Sequence, residues 1–333
     1  MTTMQDCSVG LGVESTYGTG VTPTRWLEFV DESLDFNKEI KQGQGLRVGT
    51  RVARSARRVI PTADAGGDVT VEVLSKGLGL FLQAIFGTGA STLVSGTTYQ
   101  QVFTLGDTPS SLTIQKGLPR VDGTVDAYTY TGCMVESAEF SFDNADIVKV
   151  KATFDAKDVT TATGYAAPTY ASGANLLNFA GGSIFSGTLT APTTTALASG
   201  STPIAGIRGG SLTIGNAPAT DRYNLGGAGR KDKPTVGLRD IGGSLSAEYA
   251  SATFRDAILN DSPMALVLQW TGGALSTGLE TLQLVVPEVK FDAAIAKANG
   301  GNLIMQDLKF VGLDNLTAAQ PVWAVVRTSD NAL

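Results

Sequence analysis

Gly66-Gly67-Asp68-Val69-Thr70-Val71-Glu72-Val73-Leu74-Ser75 has a second version later in the chain, Gly242-Gly243-Ser244-Leu245-Ser246-Ala247-Glu248-Tyr249-Ala250-Ser251. Each reads as a Gly-Gly turn, a short strand and then a helix. Alternation places Val69, Val71 and Val73 on one face of the first strand, and Leu245, Ala247 and Tyr249 on the matching face of the second. Helical spacing follows in Leu74, Leu78, Phe81, Leu82 and Ile85, and again in Phe254, Ala257 and Ile258. Without gaps the copies share Gly66/Gly242, Gly67/Gly243, Glu72/Glu248 and Ser75/Ser251.

The flanks repeat in the same order. Ser33-Leu34-Asp35-Phe36 matches Ser211-Leu212-Thr213-Ile214 upstream. Glu139-Phe140-Ser141-Phe142-Asp143 matches Glu288-Val289-Lys290-Phe291-Asp292 downstream, and Ala152-Thr153-Phe154-Asp155 matches Leu308-Lys309-Phe310-Val311. A repeat this long exceeds any solenoid unit and implies two similar β-rich modules, related by duplication. Their expected core is Val71, Val73, Leu78, Leu82 and Phe142 in the first module. In the second it is Ala247, Tyr249, Phe254, Ile258 and Phe291. The expected boundaries are 1–160 for the first module, 161–201 for a connection and 202–333 for the second.

Two such modules fit 333 residues, each with enough chain for its own core. Charged residues are 17%, below the usual share of about 25%, so part of the surface suits coverage by other subunits. The net charge of −6 disfavours tight nucleic-acid binding, which rests on phosphate neutralisation, and a mildly acidic wall lets DNA pass without sticking. Cys7 and Cys133 form no spaced pair, so free thiols in a reducing compartment are expected. Met1 to Gly10 lacks the basic and apolar regions of a signal peptide. The longest apolar run, Leu78 to Phe86, is far short of the ~20 residues that span a bilayer. A soluble chain with no membrane partner is the expectation.

Along the chain, residues 1–26 are Gly/Thr-rich, and Trp26 to Ile40 reads as a long strand broken near Asp31-Glu32. Lys41 to Ala65 then reads as a long arm carrying Arg47, Arg51, Arg54, Arg57 and Arg58. Two readings stand: a solvated flexible loop, or an arm that docks on an acidic neighbour. A nucleic-acid contact is the weaker third, because no aromatic residue interleaves for base stacking. Pro218 to Ile241 is a second long loop at the same place in the repeat, of mixed charge, which points to one shared job. Residues 87–126 read as an insertion that adds a hairpin, with Leu112-Thr113-Ile114 in one strand. Residues 161–201, rich in Thr, Ala, Gly and Ser, read either as a plain linker or as an ordered second N-terminal arm.

The chain has no histidine, which removes the commonest general base and metal ligand. The pairs Asp31/Glu32 and Asp143/Asp146 fall in turn contexts, where Asp is an ordinary turn former. Gly226-Gly227-Ala228-Gly229-Arg230-Lys231 lacks the spacing of a phosphate-binding loop. Neither catalytic residues, a metal site nor a cofactor is predicted.

Glu14-Ser15-Thr16-Tyr17-Gly18-Thr19, Val21-Thr22-Pro23, Glu32-Ser33-Leu34 and the unit Gly66 to Gly87 resemble the major tail tube proteins of long-tailed, non-contractile bacteriophages. The resemblance covers residues 8–160 best and reaches the second half through the internal repeat. Many such proteins have one module, where this chain has two. The resemblance implies β-sandwich or half-barrel modules, each flanked by one α-helix, whose inner strands join a ring-closed barrel. It implies a virion protein of the tail, assembled in the host cytoplasm, whose stacked rings conduct DNA. Three chains would make a pseudo-sixfold ring, with hexamers of whole chains as the alternative. The implied partners are further copies of the chain, a tape measure protein, a tail terminator, a distal tail protein and DNA in transit. The alternatives are another tube or spike component of a phage or secretion system, or a β-rich carbohydrate-binding or adhesin module. A sugar-binding face needs exposed aromatics, whereas Trp26, Trp270 and Trp323 lie in apolar strand contexts.

Overall fold

The computed structural model describes residues 3–49, 51–292, 295–296 and 303–333. In the first half the strands are β1 (Ser8–Val13), β2 (Arg25–Leu27), β3 (Phe29–Glu32), β4 (Asp35–Gln42) and β5 (Arg58–Glu72). Helix α1 (Gly79–Phe86) follows, then β6 (Gly87–Ser95), β7 (Thr98–Leu105), β8 (Leu112–Pro119), β9 (Val125–Phe142), β10 (Lys149–Ala156) and β11 (Asp158–Thr160). The second half holds β12 (Gly182–Thr190), β13 (Ser199–Ile204), β14 (Ile207–Gly215), β15 (Asp240–Glu248), α2 (Thr253–Leu259), β16 (Met264–Ala274), β17 (Leu279–Phe291), β18 (Met305–Gly312) and β19 (Trp323–Thr328). All join one antiparallel network, and it does not close on itself within the chain.

The centre of the network is the row β5–β10–β9–β14–β15–β18. Period-2 alternation makes it two-faced. Val69, Val71, Val150, Phe154, Phe140, Leu212, Ile214, Leu245, Ala247, Leu308 and Phe310 are all buried on one face. Near β9 and Phe154 that face packs against α1, in which every residue but Gln83 is buried. An eight-residue helix is too short to stand alone, so burial holds it. It stops where Gly87 turns left-handed, φ 98°, and its N–H caps the Gln83 carbonyl.

Strand order and register recur between the halves. β4–β5–β10 and β14–β15–β18 are parallel cases: Asp35 faces Gly66 as Thr213 faces Gly242, and Phe154 faces Gly67 as Phe310 faces Gly243. β9 pairs with β8, β10 and β11, and β17 pairs with β16, β18 and β19. The hairpin β1–β2 adds to β8, and the hairpin β12–β13 adds to β16. Phe142 and Phe291 are not register counterparts. Phe291 faces Phe310, whereas Phe154, in the place of Phe310, faces Val135. Two seams join the halves: β9 with β14, and β7 with β19.

Several expectations change. The arm 41–65 is partly ladder, because β4 and β5 pair out to Gln42 and Arg58 and leave residues 43–57 as a tip; within it, Thr50 lies outside the described residues. In the expected insertion the added hairpin is β6–β7, whereas Leu112 to Ile114 belong to β8, between β1 and β9. Residues 161–201 contain the ordered strand β12 and the start of β13, with Leu177 buried. Of the expected core, Val71, Val73, Leu78, Leu82, Phe142, Ala247, Phe254 and Phe291 are buried. Ile258 is only half-buried, and Tyr249, at a strand end, is 38% exposed. Trp270 and Trp323 are buried in strands.

Candidate functional site

The hairpin β4–β5 extends beyond the body of the protein. Beyond Ala63 its residues are mostly exposed on both strands. At the tip Gly43 N–H bonds to the Arg57 carbonyl at 2.8 Å, and the Gln42 side chain bonds to the Arg54 carbonyl at 3.0 Å. Arg47, Arg51, Arg57 and Arg58 are exposed and Arg54 is half-buried. Among the described residues these five arginines make no ion pair. Between them Leu46 and Val48 are fully solvated, at 102% and 98% exposure, and Ile40, Val59 and Ile60 are exposed along the ladder. Such a two-stranded ribbon gains little from its own contacts. Apolar tips rimmed by charge mark interaction surfaces.

The loop between β14 and β15 is the opposite case. Lys231 is buried and its Nζ bonds to the buried Asp155 carboxylate and, at 2.5 Å, to Asp64. Arg230 pairs with Asp158 at 2.8 Å, and Arg239 donates to the Gly106 carbonyl and to Asn216 Oδ1. The loop also braces the hairpin base: Ala63 N–H bonds to the Gly229 carbonyl and Tyr223 Oη donates to the Ala63 carbonyl, both at 3.1 Å. Gly229 is left-handed, φ 72°, and a Cβ there would sit 2.4 Å from the Pro61 carbonyl oxygen. Burial pushes the Asp155 carboxyl up to about 6 against the downward pull of Lys231, and its Oδ2 is buried without a hydrogen-bond partner. Burial alone would lower the Lys231 ammonium, but its bonds to Asp155 and Asp64 hold it above its ordinary value.

The second face of the central row is polar. It presents Asp68, Glu72, Glu139, Glu248 and Asp307 against Lys149, Lys151, Lys309 and Arg208, with Ser141, Ser211, Ser244 and Ser246 between them. Lys151 pairs with Asp68 at 2.7 Å, Lys149 with Asp146 at 2.8 Å, and Arg208 Nε donates to Glu248 at 2.6 Å. Burial would raise the Asp68 carboxyl, but hydrogen bonds from Lys151 and Thr153 hold it below its usual range. A face whose acids and bases are near balance, with Lys151–Asp68 and Arg208–Glu248 paired across strands, carries little net field.

The structure assigns a role to a residue that the sequence motif contained without explaining. Glu14 is buried, and its carboxylate accepts from Gly18 N–H (2.8 Å), Ser111 Oγ (2.7 Å), Thr113 Oγ1 (2.9 Å) and Gly132 N–H (2.9 Å). It ties the N-terminal loop to β8 and β9, and four donors offset the desolvation of its charge. Glu280 does likewise across the halves, accepting from Ser75 Oγ, Asn175 Nδ2 and Gly273 N–H. The detectable signal was a lone acid in a Gly/Thr-rich stretch. Its partners are too distant in sequence to read.

Among the described residues no group of Cys, Asp and Glu side chains is arranged to hold a metal ion, and no helix is long and apolar enough to cross a membrane. The profile of a protein family described as phage tail tube protein matches residues 4–312 of the chain. No curated protein matches it.

Proposed function

The chain belongs to the phage tail tube protein family, and we propose that it is a structural, non-catalytic virion protein that self-assembles into stacked rings forming a DNA conduit. The observation that carries the reading is the β9–β14 seam. It joins two ladders of the same order and register edge to edge, while β4 has only β5 as a partner among the described residues. An unpaired edge is a template for another chain. The matching ladders support two modules related by duplication, with β12–β13 opening the second as β1–β2 opens the first. The internal seam is then the pattern for the seam between chains. Three chains would supply six modules.

With four strands per module, about 4.8 Å spacing and a tilt near 45°, such a ring has a wall diameter of roughly 50 Å. The polar face of the row lines the bore, where paired charges reduce drag on DNA. The exposed hairpins make the contacts between rings, which are heterologous and so propagate into a filament. Each exposed ion pair is worth only about 0–1 kcal/mol, but many repeat around a ring. Assembly takes place in the host cytoplasm, with a tape measure protein, a tail terminator and a distal tail protein as further partners. Electron microscopy of the purified protein with mass measurement of the rings tests the reading. Tubes built from three-chain rings are the expected result, and a protein that stays monomeric under all assembly conditions would remove it.

A further inference from the structure

We infer that the hairpin tip of one copy docks into an acidic-rimmed groove on a second copy of the same chain; this rests on the tube reading above and names the receiving surface. The groove is open, about 460 Å³, and lies along β3. Phe29, Val30, Leu118 and Tyr170 give it an apolar floor, and Glu28 and Asp31 stand on its rim. Val30 is 55% exposed. Glu28 and Asp31 are exposed and make no ion pair among the described residues, while their neighbour Glu32 is neutralised by Lys116 at 2.6 Å.

The tip is complementary in both respects. Residues 43–58 carry Arg47, Arg51, Arg54, Arg57 and Arg58 and no acid, and they present Leu46 and Val48 to solvent. Position then selects the partner. β5 holds β4 at its start, Arg58 facing Gln42, and β3 at its far end, Val71 facing Phe29. The separation is 71 − 58 = 13 residues, or roughly 40 Å of strand at ~3.3 Å per residue. The tip points away from its own groove, so the two cannot meet within one chain. A copy displaced along the strand direction brings them together. Unlike surfaces at opposite ends of one ladder make a head-to-tail contact that repeats without closing.

The test uses the full-length protein. Reversing the groove (Glu28→Lys with Asp31→Lys) should cut tube yield about tenfold or more in sedimentation, since a small weakening of the same joint at every repeat compounds. Reversing the tip (Arg47→Glu with Arg51→Glu) should do the same, and combining the two should restore tubes. All four positions are exposed, so circular dichroism should show unchanged folding. As an independent readout, Leu46→Cys should cross-link to Cys7, which lines the groove, under copper-phenanthroline oxidation. The product is a ladder of multimers that Cys7→Ser abolishes; Cys133 is buried. If wild-type tubes form, the groove variant assembles as well as wild type and no Cys7-linked ladder appears, the docking site is wrong while the tube reading stands. If the wild-type chain forms neither rings nor tubes, the tube reading falls and the docking site with it.

Discussion

The hairpin tip at residues 43–57 and the loop at 216–239 connect strand pairs of matching register, β4–β5 and β14–β15, and both are rich in Arg and Lys. They meet different fates. The loop spends its cations inside the chain: Lys231 on Asp155 and Asp64, Arg230 on Asp158, Arg239 on a backbone carbonyl. The tip leaves its arginines in water beside Leu46 and Val48. Similar composition therefore marks a brace in one place and a solvated tip in the other. What separates them is whether an acid from a distant strand lies within reach. The brace also holds the base of the tip's hairpin, because Gly229 and Tyr223 bond to Ala63.

Deleting residues 47–58 and closing the hairpin with a short turn makes the hardest test of that division. Stacking should be abolished while protomers stay folded, seen as absent tubes by microscopy with an unchanged melting curve. Tubes of normal length from this variant would end the distinction. Next in size is Lys231→Met, which leaves Asp155 buried without its cation and should cost about 3–5 kcal/mol in urea unfolding. Arg51→Met, on the tip, should stay within about 0.5 kcal/mol. Equal losses at the two sites would show that the tip is already held by its own chain.

Glycines probe the same division through the backbone. Gly229→Ala combines a left-handed backbone with a collision against Pro61 and should cost about 2–3 kcal/mol. Gly49→Ala, where an added Cβ meets nothing within 4 Å, should cost less in the same assay. A separate effect is in pH. The Asp155 carboxyl sits at about 6, above its unfolded value near 3.9, so the native state binds the proton more tightly. Its contribution to stability is complete below pH ~4 and is lost as pH rises through about 6, on the order of 3 kcal/mol. Asp155→Asn should flatten that part of the stability profile, and no tip variant should alter it.

Much of the central row was legible in the residues. Val69, Val71 and Val73 alternate strongly, Leu78 to Phe86 is too apolar to be anything but buried, and the Gly-Gly pairs marked the strands that proved to share a register. Only half of the hairpin ladder was legible: Trp26 to Ile40 reads as strand and contains most of β4, whereas Arg58 to Ala65 reads as loop, because Arg58-Val59-Ile60-Pro61-Thr62 carries no period-2 alternation and is strand only through pairing with β4. β6–β7 was misplaced for a related reason: its Thr- and Gly-rich sequence is held by β19, a strand from the far end of the chain. Tyr249 follows the alternation, but it falls at the end of its ladder and so stays exposed. Of the candidate site, the arginines of the arm were read from the sequence and lie on the hairpin tip, whereas the exposed apolar pair beside them and the groove beside β3 were not read.

The residues alone establish the class: a β-rich, histidine-free protein with a recurring Gly-Gly strand unit. Alternation, turn residues and composition are local properties, and local sequence carries them. Folding in three dimensions was needed to settle which of two basic loops is satisfied, which carboxylates sit at the centre of several donors, and which strand edges stay bare. Those depend on partners brought together from distant parts of the chain, and the energy of a charge or a backbone hydrogen bond is set by what lies opposite it.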